Sequence, residues 1–190
     1  NDLAFNFKMK EMADIYSSGE LAVVLGLGYP GSNRSHFKSI ALWETGGDGT
    51  SGVGQSGWLT DDINGLEGSE LLDVHGISLD GGMGFFASSD GTLISMTSIK
   101  KFQKLKHHKM EKVETHNPAL SLLLDRSNQL NSAMESISKK LGSFNDSARV
   151  RGGELGDQLE LALNCISAGI NSPVIKVSHG SFDTHDNQSW

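Results

Sequence analysis

Three features that would each define a class of protein are scarce in this sequence: paired cysteines, long apolar runs and positive charge. Cys165 is the single cysteine, so no intrachain disulfide can form, and its apolar helical surroundings predict a buried structural thiol rather than a nucleophile. No stretch approaches the roughly 18 apolar residues of a membrane-spanning helix, so we expect no membrane span. The formal net charge of −7 argues against a general nucleic-acid-binding protein.

Glycine, in contrast, is plentiful. The chain has 190 residues, of which 23 are glycine and 3 are proline, and this composition predicts many loops and turns. Apolar residues make up 37% of the chain, which is enough for the core of one domain with at most a small annex. The sequence opens without a methionine at "NDLAFNF" and closes just after its most polar motif. We therefore expect residues 1–190 to be a fragment of one longer domain.

Helical and strand patterns alternate at both ends of the chain. Four segments have helical spacing of apolar residues or clear helix ends; these are 7–19, 35–46, 117–142 and 154–169. Two apolar runs, 20–28 and 173–180, are typical of buried parallel strands. A turn at Asp90-Gly91 predicts a β-hairpin over 82–98. The order predicts an α/β protein, a parallel sheet flanked by helices, with residues 70–112 as a hairpin and connector insert.

The lysine-rich run "KKFQKLKHHKMEK" (100–112) is the one strongly basic segment of the chain. Six lysines stand there against a single glutamate, Glu111. Two interpretations are open: a solvated helix or connector, and a patch that binds anions or RNA. Aromatic residues are almost absent from the run, which favours the connector.

The segment "GLGYPG" (26–31) matches the G-x-G-x-x-G pattern of dinucleotide-binding loops. Pro30 and the following "SNR" delay the next helix beyond the last glycine, and no second strand ending in an acidic residue follows. We therefore interpret the glycines as tight turns. A nucleotide-binding domain stays as an alternative, and it would require cofactor binding that is abolished by Gly28→Val.

Two predicted strand ends carry reactive side chains, and parallel strands deliver such ends to one edge of a sheet. After the first run, Ser35 begins a helix, where the dipole favours an anion or an activated alkoxide. Arg34 beside it is suited to phosphate or sulfate oxygens. The alternatives are structural: Ser35 would only cap the helix, and His36 would be a core histidine or one that makes a structural hydrogen bond.

The last strand leads into "VSHGSFDTHDNQ" (177–188), the most polar motif of the chain. Asp183 and His185 combine a carboxylate with an imidazole, a normal ligand set for zinc or a similar divalent ion. His179, Asp186 and Asn187 are close in sequence. The alternative is structural, since Asp-Thr often only makes a turn.

Together these segments resemble a known bacterial family, the one named domain of unknown function 1501. The chain contains "RSHF" (34–37), then "GWL" (57–59), and finally "GSFDTHDNQ" (180–188), in the order and spacing of the family's R-S-H-F, G-W-L and G-G-W/F-D-T-H-x-N-Q segments. The resemblance covers nearly the whole chain, with Phe182 where tryptophan is commoner. The family is grouped with the alkaline phosphatase and sulfatase superfamily.

The resemblance implies an alkaline-phosphatase-like sheet and a metal-dependent hydrolase of phosphate or sulfate esters. The superfamily uses one or two metal ions beside a nucleophile at a helix N-terminus. This implies in-line attack by Ser35 or by a metal-bound water, with Ser35 and His36 as the catalytic residues and Arg34 on the anion of a small ester substrate. Asp183 and His185 would hold the metal, zinc first and manganese or calcium as alternatives, with His179 and Asn187 in support.

The family's earlier glycine-and-aspartate motif and its later S-E-F-G-R-T and D-H-G segments are not found in residues 1–190. We therefore expect at best half of a bimetal site, inactive by itself. The second hypothesis is a non-catalytic binding or assembly protein on the same scaffold, with an unknown protein partner. The resemblance also implies export to the periplasm, since family members often carry a twin-arginine leader.

Overall fold

A computed structural model describes residues 4–32, 34–48, 56–87, 91–105, 115–143, 149–180 and 182. The described helices are α1 (Lys10–Ser17), α2 (His36–Thr45), α3 (Trp58–Asn64), α4 (Ile99–Gln103), α5 (Pro118–Ser143) and α6 (Gly153–Ser167). The strands are β1 (Gly76–Ser78), β2 (Leu93–Ser95) and β3 (Ile175–Lys176), and short 3-10 helices occupy Phe7–Met9, Ser69–Leu71 and Gly84–Phe86. The prediction of an α/β protein with a parallel sheet and flanking helices is confirmed.

The sheet has three parallel strands in the order β2-β1-β3. Ile77 in the central strand lies opposite Ile94 of β2 on one side and Ile175 of β3 on the other. All three residues of β1 are buried, as expected of a central strand that is covered on both faces. A Cβ on Gly76 would lie 2.6 Å from the Phe86 ring, so the glycine is what lets this ring pack against the strand.

The main core lies between the sheet and helices α4, α5 and α6. Its buried residues are Val74, Ile77, Leu79, Ile94, Met96, Phe102, Ala133, Ile137, Leu141, Leu161, Cys165 and Ile170. Cys165 is fully buried, and burial raises the pKa of its thiol to about 11. A neutral thiol in such a place is inert, so the prediction of a structural cysteine is confirmed.

The helix ends follow the local signals in the sequence. Ser35 is the N-cap of α2, where its Oγ accepts a hydrogen bond from Lys38 N, and Gly46 ends the helix at φ 66°. Asn117 Oδ1 accepts hydrogen bonds from the first N–H groups of α5, at 3.0 Å from Ala119 N. These two predicted helices are confirmed to within one residue at their ends.

The predicted strand at 20–28 is wrong. These residues form no strand and pair with none of the described strands. Their apolar side chains are largely solvent-exposed, with Val24 at 68% and Leu27 at 70%. The physical reason is that a parallel strand is stabilised by a ladder with its neighbours, and β1, β2 and β3 assemble from other parts of the chain.

The predicted hairpin over 82–98 is also wrong for the residues that the structure describes. Its first arm contains the 3-10 helix Gly84–Phe86 instead of a strand. Its second arm forms β2, which pairs with β1 in parallel, whereas the arms of a hairpin are antiparallel. Asp90 of the predicted turn lies outside the described residues. Two of the three strands thus come from within residues 70–112.

A charged cluster at the amino end of the sheet joins β1 to α5 and to the loop before β3. The Asp73 carboxylate accepts hydrogen bonds from Lys140 Nζ at 2.5 Å, Asn171 N at 2.7 Å and Ser136 Oγ at 3.0 Å. Burial opposes ionisation of Asp73, but these hydrogen bonds outweigh it and lower the pKa of the carboxyl below its usual value.

Asp73 is therefore expected to make the stability of the fold depend on pH. Because its pKa is lower in the folded than in the unfolded state, its contribution is complete above the unfolded pKa of about 3.9 and is lost as pH falls through the folded value. We expect Asp73→Asn to cost about 1 to 3 kcal/mol at pH 7 and progressively less in acid. Urea unfolding of both proteins between pH 7 and pH 3 measures this difference. A difference that stays constant over that range would contradict the role of the charge.

Candidate functional site

The N-terminal end of α2 brings together three residues that the sequence predicted to be functional. Arg34, Ser35 and His36 line one open pocket of about 370 Å³, together with Ser39 and Ile40. The three are adjacent in sequence, and the start of a helix turns them toward a common surface. The hydroxyls of Tyr29 and Ser39 lie 3.0 Å apart and tie the preceding loop to the helix.

The loop before this pocket makes tight turns, as predicted. Gly26 and Gly31 adopt positive φ angles of 70° and 63°, a conformation that favours glycine. Helix α2 begins only at His36, so no helix N-terminus follows Gly31 directly in the way that a dinucleotide-binding loop requires.

Ser35 is the N-cap of α2, and its hydroxyl lies at the positive end of the helix dipole. Its backbone is extended, at φ −89° and ψ 112°, and its Oγ accepts a hydrogen bond from Lys38 N at 3.3 Å. The positive end of the helix dipole and the Arg34 guanidinium both favour a negative charge here. The pocket is chemically suited to an anion.

His179 lies just beyond β3, at the start of the polar C-terminal motif. Its ring contacts that of Phe182 edge to face, with 5.2 Å between the ring centroids. Asp183, His185 and Asn187 lie outside the described residues. In the part of the chain that the structure describes, no group of three or more His, Cys, Asp or Glu residues is placed to hold a metal ion.

Among the residues that the structure describes, Ser35 and the end of β3 line different cavities. Ser178 and Gly180 line a separate cleft, and neither contributes to the pocket at α2. The expectation that the two loops meet at one sheet edge depended on a strand at 20–28. Because that strand is missing from the sheet, the loop that carries Ser35 is not delivered to its edge.

The carboxyl edge of the sheet instead gathers polar residues that the sequence did not single out. The Asp80 carboxylate follows β1 and accepts hydrogen bonds from the hydroxyls of Ser78, at 2.6 Å, and Ser178. Gly82 N donates to it at 2.9 Å, and Lys176 Nζ lies 3.1 Å away as an ion pair. Burial opposes the charge, but these partners outweigh it and hold the pKa of Asp80 well below its usual range.

Gln158 of α6 holds the same strand end from the other side. Its Nε2 donates to Ser178 O at 3.0 Å, and its Oε1 accepts from Ser178 N at 2.7 Å. The side-chain amide thus pairs with both backbone groups of one residue, as a neighbouring strand would. Ser178 is therefore fixed through its backbone by α6 and through its hydroxyl by Asp80.

A cleft of about 510 Å³ opens beside this cluster. Its lining residues come from the ends of all three strands and from α6; they are Leu79, Asp80, Thr97, Glu154, Asp157, Gln158, Leu161, Ser178 and Gly180. In the order β2-β1-β3, the chain passes from β1 to β2 on one side and then crosses over β1 to β3 on the other side, so the direction of the connections reverses at the carboxyl ends of the strands beside β1. Open α/β sheets bind ligands at such points.

The sequence does contain a pattern that indicates this cluster. It lies within residues 70–112, which were predicted to be an insert and not part of the central sheet. The segment "HGISLDGG" (75–82) is a short apolar run followed directly by an aspartate and two glycines. This is the pattern of a buried strand with a polar end. The strand has only three residues, which is too few to show the alternation or the apolar run by which a strand is recognised in a sequence. Gln158 and Ser178 carry no local signal, because their contact spans twenty residues of sequence.

The chain is defined by its structure as an α/β protein with a three-stranded parallel sheet and flanking helices. No protein-family model, no curated protein and no solved structure matches it. Among its described helices, none combines the length and the apolar character needed to cross a membrane.

Proposed function

We propose that this chain is part of a metal-dependent hydrolase of phosphate or sulfate esters, of the alkaline phosphatase and sulfatase kind. The observation that carries the proposal is the shared pocket of Arg34, Ser35 and His36 at the start of α2. A hydroxyl, an imidazole and a guanidinium at the positive end of a helix are the groups that attack on an anionic ester requires. Because of the resemblance in sequence, the proposal also includes export of the protein to the periplasm.

Each of the three residues has a role in the proposed reaction. Arg34 holds the anionic oxygens of the ester through its guanidinium. Ser35 Oγ attacks the phosphorus or sulfur atom, and its bond to that atom forms as the bond to the ester oxygen breaks. His36 acts as the general base that takes the hydroxyl proton and then as the general acid that gives it to the departing alkoxide. Water then attacks the phosphorus or sulfur atom of the serine ester, the bond from that atom to Ser35 Oγ breaks, and one proton of the water restores the hydroxyl while phosphate or sulfate leaves.

The metal would be held by residues of the C-terminal motif. Asp183 and His185 supply a carboxylate and an imidazole, which suit zinc, with manganese and calcium as alternatives. His179 and Asn187 would support them. A divalent ion held there would act as a Lewis acid toward phosphate or sulfate oxygens.

Metal binding by the purified protein tests the proposal. We expect the wild-type chain to bind one divalent ion when zinc, manganese or calcium is offered alone, and Asp183→Ala to bind it at least tenfold more weakly, because a ligand is lost. Equilibrium dialysis followed by elemental analysis measures both.

Asp125→Ala is the matched control, since it removes an exposed aspartate of α5 and should leave metal binding unchanged. In the same samples, inorganic sulfate should bind the wild type and bind Arg34→Gln several-fold more weakly. Absence of metal from every protein, even at high metal concentration, would overturn the hydrolase proposal.

A second function is favoured by the apolar surface beside the pocket. Phe37, Ile40 and Trp43 lie on α2 and are 88%, 55% and 60% exposed. Exposed apolar patches of this kind mark protein interaction sites, which fits a non-catalytic binding or assembly protein. A chain that binds neither metal nor sulfate would favour this second function.

A further inference from the structure

We propose that the cavity between α5 and the amino ends of β1 and β2 binds a small organic cation that carries a primary ammonium group. The cavity has a volume of about 660 Å³, a size typical of sites for small molecules. It shares no lining residue with the Arg34 pocket, and it lies at the opposite edge of the sheet from Asp80. The inference is therefore independent of the proposed hydrolase.

One face of α5 forms a wall of the cavity. Asp125, Asn128, Ser132 and Ser136 line it and follow one another at intervals of three or four residues, which places them on the same side of the helix. Each turn of this wall thus offers the cavity a carboxylate, an amide or a hydroxyl. Such groups recognise a ligand through hydrogen bonds.

The opposite wall is held in place by its own hydrogen bonds. Asp73, which precedes β1, accepts hydrogen bonds from Lys140 Nζ and Ser136 Oγ. Thr92, which precedes β2, is joined to His75 twice: Thr92 N donates to His75 Nδ1 at 3.0 Å, and His75 N donates to Thr92 O at 2.8 Å. A wall that is already ordered loses little conformational freedom on binding, and this favours affinity.

Asn128 supplies the observation that points to a ligand. Its Oδ1 atom is buried and accepts no hydrogen bond, and it is the one buried side-chain nitrogen or oxygen of the described residues in that condition. A buried acceptor without a donor lowers the stability of a fold. Because Oδ1 makes no hydrogen bond where it lies, the amide loses none when it turns this oxygen toward a donor in the cavity.

The charge of the lining indicates the class of that donor. Two lining residues, Asp73 and Asp125, are acidic, and none is lysine, arginine or histidine. Asp73 is already paired with Lys140, whereas Asp125 is exposed three residues before Asn128 on the same face of α5. A negative lining repels phosphate, sulfate and carboxylate ligands. An ammonium group donates three hydrogen bonds and accepts none, so it suits Asn128 Oδ1 and the Asp125 carboxylate together.

A divalent metal ion fits this lining less well than an ammonium group does. In the part of the chain that the structure describes, no third carboxylate, imidazole or thiol stands with Asp73 and Asp125 to complete a set of metal ligands. The cavity therefore differs in chemistry from the metal site proposed for the C-terminal motif.

NMR titration of the protein with the diamine putrescine at pH 7 tests the inference. Butanediol is the matched uncharged probe, because it has the same carbon chain with hydroxyls in place of the ammonium groups. We expect one putrescine to bind per chain and to shift the side-chain amide signals of Asn128. Butanediol should bind at least tenfold more weakly, because its hydrogen bonds are not strengthened by charge. Absence of saturable putrescine binding, or equal affinity for butanediol, would overturn the inference.

Asn128→Leu separates a ligand-binding asparagine from a structural one. Leucine removes the acceptor at a similar side-chain size, so we expect putrescine to bind at least tenfold more weakly. The melting temperature without ligand should stay at or above that of the wild type, because a buried acceptor without a donor has been removed.

Asp125→Asn decides the test by itself if Asn128→Leu is destabilised. It removes one charge from an exposed position and keeps the shape of the side chain, so we expect putrescine to bind several-fold more weakly. Asp157→Asn is the matched control, since it makes the same change on α6 outside the cavity and should leave the affinity unchanged. Wild-type affinity for putrescine in Asp125→Asn, or in a stable Asn128→Leu, would overturn the inference.

Discussion

Asp80→Ala is expected to lower the free energy of unfolding by about 2 to 4 kcal/mol at pH 7. The substitution removes the acceptor of two serine hydroxyls and one backbone N–H, and it leaves the ammonium of Lys176 without its carboxylate. The side chains of Lys176 and Asp80 are only 14% and 17% exposed, so water replaces the lost partners poorly. Breaking such a pair costs more than the pair itself contributes, because the remaining charge stays desolvated.

The same reasoning gives the pH dependence of the Asp80 contribution. Its pKa is lower in the folded state, so the stability that it supplies is complete above about pH 4 and is lost only as pH falls through the folded value. Urea unfolding at pH 7 provides the measurement. Asp14→Ala is the control, because the Asp14–Lys10 pair is 64% and 75% exposed and should contribute less than about 0.5 kcal/mol. Equal losses in the two variants would show that Asp80 does not organise the sheet edge.

Phe86→Ala is expected to cost about 3 to 5 kcal/mol, the range for a large side chain removed from a core. Phe86 is completely buried, and its ring packs against Gly76 of the central strand. It also ends the 3-10 helix Gly84–Phe86, which contacts both α2 and α3. The cavity left by the ring would therefore loosen the attachment of the α2 pocket to the sheet.

Phe37→Ala is the matched control for this prediction. Phe37 is 88% exposed on α2, so its loss should change the free energy of unfolding by less than about 0.5 kcal/mol. Thermal and urea unfolding of the two variants give the comparison. If Phe86→Ala proved as stable as Phe37→Ala, the 3-10 helix could not be the link between α2 and the sheet.

The two kinds of predicted element had different outcomes. Helices were predicted well, since their signals are local: Ser35 and Asn117 cap α2 and α5, and Gly46 ends α2. Strands were predicted poorly. The apolar run 20–28 has the composition of a strand but finds no ladder, whereas β1 is only three residues long and shows too little periodicity to be recognised.

The two candidate sites differ in the same way, since one is formed by adjacent residues and the other by residues far apart in the sequence. The sequence by itself determined the pocket of Arg34, Ser35 and His36, because a helix start places adjacent residues on one surface whatever the rest of the chain does. Only the tertiary structure decided that Asp80, Gln158 and Ser178 meet. They come from a strand end, a helix and another strand end. Their contact depends on the strand order β2-β1-β3, which is set by packing and pairing between distant segments and leaves no local pattern in the sequence.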